Sequence, residues 1–326
     1  MTEVNDAPSI NDGIDAHGGF DAHGGTSMTF PTQARYLVRH ETHYEYASLA
    51  SLSQQLLHLR PRSFQFQEVE QHNIHLSPFP SEQNSTLDFF GNHHQYLAID
   101  EPHKDLHVIA ESTLLLLARP GTELIPASIP WEDLQALLRK IGNPIRLEPL
   151  KFLYGSPNVS LSDELADYGR QCFTPGRSVL ASALALTELI HQDFTFDPEA
   201  TDTTTPLSEV MLLRRGVCQD FAHMMIGAIR SLGLPCRYVS GYILTHPAPG
   251  QPRLIGADAS HAWVSVFCPS IGWVDFDPTN RCMVNLEHIT LGWGRDYSDV
   301  SPLRGVLLGG GTQKLEVSVT VSPLLI

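Results

Sequence analysis

Residues 214–226 read RRGVCQDFAHMMI, and the remainder of the chain is read from the cysteine within it. Behind Gly216, Cys218 opens a run in which Phe221, Met225, Ala228, Ile229 and Leu232 recur at helical spacing, with Gly233 as the expected stop. The thiol is therefore expected in the first turn of a helix, where the macrodipole and unpaired backbone N–H groups favour thiolate over thiol. A lone helical cysteine is ordinarily a small buried hydrophobe. Its context decides otherwise.

That context is DASHAWVSVFCPSIGWVDFDPTN, residues 258–280. The alternating runs 261–267 and 271–277 flank Cys268, Pro269 and Ser270, a hairpin with a short loop. A loop centred on Pro269 puts His261 directly opposite Asp277 on one sheet face. Asp275 shares that face, and the same register sets it opposite Trp263. A thiolate, an imidazole to carry its proton and a carboxylate to fix the imidazole are the groups that cysteine-based acyl transfer requires.

Four segments, GVCQDFAH, LGLPCRYVSGY, DASHAW and GWVDFDPTN, taken in order, resemble the transglutaminase-like superfamily, in its bacterial branch of transglutaminase-like cysteine proteases. The resemblance implies Cys218 as nucleophile, His261 as general base and acid, and Asp277, in the DPT triplet, as third member. It also implies an N-terminal β domain, whose HxTxYxY and DxFGN patterns match His40, Thr42, Tyr44 and Tyr46, and Asp88 through Asn92.

The expected class is α+β: an antiparallel β-sandwich at 29–120, a Pro-rich helical linker at 121–160, and a papain-like, transglutaminase-core domain at 161–326 with helices packed on an antiparallel sheet. Residues 1–28, with DAHGG twice and little to bury, read as a disordered leader. From Ala34, Tyr36, Val38, His40, Thr42, Tyr44 and Tyr46 share one strand face. Further strands are expected at 55–59, 64–70, 72–76, 96–100, 105–118, 235–244 and 315–321. Helices are expected at 131–141, from a Ser160 or Ser162 cap to 172, at 177–193, and at 206–215 behind a Thr205 cap.

Gln219, Trp263 and Gly216 are assigned to the oxyanion region and cleft, with the Cys218 N–H as first oxyanion donor. Gly216 is read as permitting a sharp turn and close substrate approach. Trp263 reads equally well as a wall of the acyl site or a core indole. Arg295, Asp296 and Tyr297 form a possible substrate-cleft segment; Arg295 and Asp296 read also as an ion pair. Arg214 and Arg215 read as a solvated helix end or as a counter-charge for a substrate carboxylate. The loop 245–257 forms one lip, and Asp258 serves a turn through local hydrogen bonds.

A net charge of −15 argues against nucleic acid and anionic membranes as partners. The start lacks a signal-peptide pattern and no long apolar run follows, so the cytoplasm is the expected compartment. Five cysteines without metal-site spacing read as free thiols. No cofactor and no metal are expected, and the histidines of the β domain read as strand-face groups. The expected partner is a peptide or protein substrate. The chemistry reads as amide hydrolysis, peptidase or deamidase, through a thioester; transamidation to an amine and a non-catalytic binding module are the alternatives.

Overall fold

Burial along the first strand follows its period-2 pattern: Tyr36, Val38, His40, Thr42 and Tyr46 are buried while Leu37 and Glu45 are exposed. In the computed structural model, which describes residues 31–140, 147–246, 256 and 258–325, that strand is β1, Gln33–Leu57. It is followed by β2 (Gln67–Ser77), β3 (Glu82–Leu87), β4 (His93–Ile99) and β5 (His103–Leu117). A helical segment comes next: α1 (Trp131–Arg139), α2 (Leu147–Leu150), α3 (Asp163–Arg170), α4 (Val179–Asp193), the two-residue β6 (Thr195–Phe196), α5 (Leu207–Leu213), β7 (Arg215–Gly216) and α6 (Cys218–Ser231). Strands β8 (Cys236–Ile243), β9 (Ala259–Cys268), β10 (Gly272–Asp277), β11 (Cys282–Met283) and β12 (His288–Gly294) complete the core sheet. The short α7 (Tyr297–Val300) leads to β13 (Leu303–Gly309) and β14 (Gln313–Leu324). The leader at 1–28, residues 141–146 of the linker and most of the loop 245–257 lie outside the described residues.

Of the expected strands, 64–70 and 72–76 merge into β2, 55–59 is the end of β1, and β3 is an addition. Ser162 caps α3 by accepting from the Leu165 N–H, and Ser178 caps α4 by accepting from Ala181. Thr205 does not cap α5. Pro206 occupies the cap position, and the Thr205 hydroxyl accepts instead from the Asp202 N–H.

The first sheet has seven antiparallel strands, with β1 as its spine. Residues 33–45 of β1 pair with β5, 35–46 with β14, and the far half with β4 and β13; the register breaks between Glu45 and Ala50. Beyond that break, Leu57, Leu97 and Ile99 pack against Leu106, Val108 and Ala110 of β5. The expected sandwich is thus one continuous sheet folded over its own core, bent where a strand passes between layers. β13, which the sequence does not announce, and β14, the expected strand at 315–321, fall in the span 161–326 assigned to the catalytic domain but belong to this sheet. From Thr32 onward the chain forms one compact unit.

The near half of the same sheet face docks on the second sheet, ordered β11-β10-β9-β8-β12. Tyr36, Val38, Leu114 and Val321 pack there against Tyr242, Ile289 and Leu291. Two side-chain amides engage the backbone of the edge strand β12. Gln67 donates to the Thr290 carbonyl at 2.7 Å and accepts from its N–H at 2.8 Å, while Asn92 does the same at Trp293, at 2.9 and 3.0 Å. An edge whose backbone groups are occupied is protected from intermolecular pairing.

Helix α6 is buried from Asp220 through Arg230, packed among α3, α5, β8 and β9. The close approach of strands beneath it depends on Gly241, which pairs with His261. A Cβ at Gly241 would meet the Ile289 carbonyl at 2.2 Å and the Trp263 ring at 2.4 Å. Neither neighbour can withdraw, so Gly241→Ala is expected to destabilise by about 3 kcal/mol or more. Urea unfolding followed by tryptophan fluorescence checks this, with an unchanged midpoint as the contrary result.

Candidate active site

Cys218 is the first residue of α6, as its spacing predicts. Val217 precedes it in an extended conformation, and the Asp220 carboxylate accepts from the Val217 N–H at 2.8 Å and from the Thr201 hydroxyl at 2.7 Å. This arrangement fixes the first turn and leaves the cysteine half-buried. Burial pushes the Asp220 carboxyl up, against the bonds from Val217 and Thr201. Gly216 does not line the cleft, contrary to expectation. Its missing Cβ is the space that the Asp220 carboxylate fills, 2.4 Å from where that atom would lie.

His261 and Asp277 meet, but not as a directly opposed pair. The hairpin pairs Gly272 with Cys268 and Asp275 with Ser265, so its loop is centred on Ser270, one residue beyond the expected centre. The shift keeps both residues on one face and makes them diagonal neighbours, within reach of long side chains. His261 Nε2 and Asp277 Oδ2 lie 2.7 Å apart. Asp275 faces Arg119, forms an ion pair with it, and accepts from the Trp263 indole N–H at 3.2 Å, so its carboxylate is committed elsewhere.

Asp277 is fully buried, and its carboxylate is the acceptor at the centre of the site. Oδ1 takes the backbone N–H groups of Thr279 and Asn280 at 2.9 and 3.1 Å; Oδ2 takes the Asn280 amide at 2.7 Å and faces His288 Nε2 at 3.1 Å. Burial works against ionisation, but the His261 and His288 contacts outweigh it and hold the Asp277 carboxyl well below the usual carboxylate range. For His261, burial likewise opposes the charged form; the charge and hydrogen bond of Asp277, then those of Cys218, overcome it and raise the imidazole to about 10. His261 therefore carries its proton at neutral pH, with carboxylate on one side and sulfur on the other.

Trp263 is wholly buried and belongs to the core with Val239 and Val284, its ring centroid 6.1 Å from that of His261. It is a floor beneath the imidazole, not a wall of the cleft. Arg295 and Asp296 do not pair. The Arg295 guanidinium binds Asp299, and Asp296 caps α7 while accepting from the Asn158 N–H. Tyr297 does line the cleft. Arg214 and Arg215 pair with Asp193 and Asp197, at 3.2 and 2.6 Å. Asp258, read as a local turn group, reaches further: it accepts from Thr245 and from the Val321 N–H of β14.

The cleft, of about 270 Å³, holds Cys218, Gln219, Tyr238 and His261 on its core side. The opposite side is made by the first sheet, through Thr42 and Tyr44 of β1 and Leu315 and Val317 of β14. Sequence reasoning missed His288, Tyr238 and this second wall. His261, Asp277 and His288 also offer ligand atoms within 4.8 Å of one another, a spacing compatible with a metal ion. In this structure the shared carboxylate oxygen of Asp277 faces both imidazoles, at 2.7 and 3.1 Å.

The comparisons with known proteins agree with this layout. Residues 36–114 match the family model of the bacterial transglutaminase-like N-terminal region, and residues 166–278 match that of the transglutaminase-like superfamily. An uncharacterised protein of Mycobacterium tuberculosis (strain H37Rv) is 35% identical over 308 residues, covering 91% of this chain and 96% of its own. A protein-glutamine gamma-glutamyltransferase of Pseudomonas aeruginosa is 31% identical over 163 residues, 47% of this chain and 24% of that one. Among solved structures, a candidate cysteine protease from Cytophaga hutchinsonii superposes with a TM-score of 0.72 at 18% identity, covering 91% of this chain and 92% of its own, which speaks to the fold.

Proposed function

The chain belongs to the transglutaminase-like superfamily, and from that premise we propose that it is a cysteine-dependent amide hydrolase, a peptidase or deamidase, working through Cys218, His261 and Asp277. The observation that carries the reading is that Cys218 and His261 line the same cleft while His261 lies 2.7 Å from the carboxylate of a fully buried Asp277. The Cys218 sulfur attacks an amide carbonyl carbon, the C–N bond breaks, and His261 gives its proton to the departing nitrogen. His261 then takes a proton from water as that water attacks the thioester, releasing the acid and restoring the pair. The Cys218 N–H, at the start of α6, is the first oxyanion donor. Tyr238 remains a phenol beside it, because burial first, and charge on Cys218 next, raise its proton affinity.

Hydrolysis is preferred over transfer to a lysine amine on one feature of the cleft. Among the described residues lining it there is no Asp or Glu to hold an ammonium group. The transferase reading draws on the Pseudomonas relative. The cytoplasmic assignment stays a proposal resting on the five unpaired cysteines.

The test is alkylation at neutral pH with substoichiometric iodoacetamide, read by mass spectrometry. Cys172, Cys236 and Cys268 are buried, and burial pushes the Cys282 thiol up to about 12. Labelling is expected to concentrate on Cys218 and to fall about tenfold or more in His261→Ala, since the thiolate is the reacting species. Equal labelling of Cys218 and Cys282, unchanged by His261→Ala, would remove the hydrolase reading.

A further inference from the structure

The outer edge of β14 continues past the point where the chain itself uses it. The Asp258 N–H donates to the Val319 carbonyl at 3.1 Å, and the Asp258 carboxylate accepts from the Val321 N–H at 2.7 Å. The backbone groups of Val319 and Val321 therefore point away from β1. β14 pairs with β1 without a register break from Gln313 to Leu324, so the alternation of a strand turns the N–H and C=O groups of Gln313, Leu315 and Val317 to the same open side. Among the described residues no backbone group pairs with them there. After Asp258 the chain swings away into β9 and meets β8, carrying Ser260 and His261 to the cleft.

The side chains obey the same alternation. Val319 and Val321 are buried in the docking core, while Leu315 and Val317, on the same face, are half exposed and line the cleft opposite Cys218. Apart from His261, the cleft's described lining contains no charged side chain: no Asp, Glu, Lys or Arg.

We propose that the substrate is an extended polypeptide with uncharged side chains near the scissile bond, and that it adds as a strand to the open edge of β14 at Gln313–Val317. It continues the pairing that Asp258 begins and so lies along the cleft facing Cys218. Strand addition supplies main-chain hydrogen bonds for affinity, with alternate side chains read by the surface beneath. This inference rests on the cysteine-hydrolase reading above, and its test separates the two.

The probe is an acetylated tetrapeptide chloromethyl ketone of alanine and valine, compared with iodoacetamide, each rate on Cys218 normalised to that on N-acetylcysteine. Proline at position 315 removes an outward N–H and spares the β1 ladder, an arrangement tolerated at sheet edges. Leu315→Pro is expected to slow the peptide reagent about threefold to tenfold relative to iodoacetamide, the worth of one lost hydrogen bond. Probes N-methylated at successive amides require no variant to fold. Alternate methylations are expected to slow the reaction and the intervening ones to leave it unchanged, and glutamate in place of valine is expected to slow it as well. Uniform rates across the methylated set, with Cys218 still activated by His261, would overturn the strand-addition proposal alone. Loss of that activation would overturn the hydrolase reading instead.

Discussion

Replacing Cys218 by alanine is expected to abolish amide turnover, by on the order of 10⁴-fold or more, while leaving the fold in place. Without the sulfur no thioester forms, and the other groups of such a constellation retain only a small residue of the rate. The structural cost is small, because the side chain is half-buried at the start of α6 and the change to alanine removes a single sulfur atom at the margin of the core. The comparison to make is hydrolysis of a peptide library by wild type and Cys218→Ala, beside their melting curves. A variant that melts with wild type and still turns substrate over would show that the chemistry lies elsewhere. A variant that binds peptides as wild type does, from a wild type with no turnover, would favour a binding module.

Asp277→Asn is the second large effect, expected to lower turnover by about 10²- to 10⁴-fold. The amide is close to isosteric but presents only one acceptor oxygen, where the carboxylate faces His261, His288 and the Asn280 amide on one oxygen. Losing the negative charge also leaves burial as the largest influence on His261, so its proton affinity falls from about 10 toward that of a buried neutral imidazole. The stability consequence has a definite sign. His261 is raised on folding, so its contribution is full below the unfolded histidine value near 6.5 and is lost as pH rises through about 10. Asp277 is depressed, so its contribution is present above the unfolded value of about 4 and is lost only as pH falls through its folded value. The melting temperature of wild type should therefore exceed that of Asp277→Asn most between about pH 4 and 6.5, and the gap should shrink toward pH 10. A gap that widened with rising pH would contradict the charge arrangement.

Much of this was legible in the residues. Helix α6 follows from the spacing of Phe221, Met225 and Ile229 behind a glycine, and the β9–β10 hairpin from two alternating runs, because both signals are local. The face shared by His261 and Asp277 was readable since a strand's period is two. Their diagonal offset was not, for it depends on where the loop closes, and the loop centres on Ser270 in place of Pro269. His288 escaped because its approach to Asp277 is set by the pairing of β12 with β8, not by any nearby sequence. The role of Gly216 was misread for a similar reason: the group filling its empty side is Asp220, whose inward turn is a matter of helix capping. Trp263 was open between wall and core, and the crossing of its ring over Gly241 decides for core.

The strand β14 follows Cys218, His261 and Asp277 in the order of synthesis, yet it closes one side of the cleft and pairs along β1, the first described strand. Pairings between distant segments form late, since the loop they close must first be ordered. While the chain is emerging, Cys218 and His261 can find each other before the surface that would receive a substrate exists. On the proposed reading, turnover would then begin only when the two ends of the folded unit are joined, because the wall that receives a substrate is completed last.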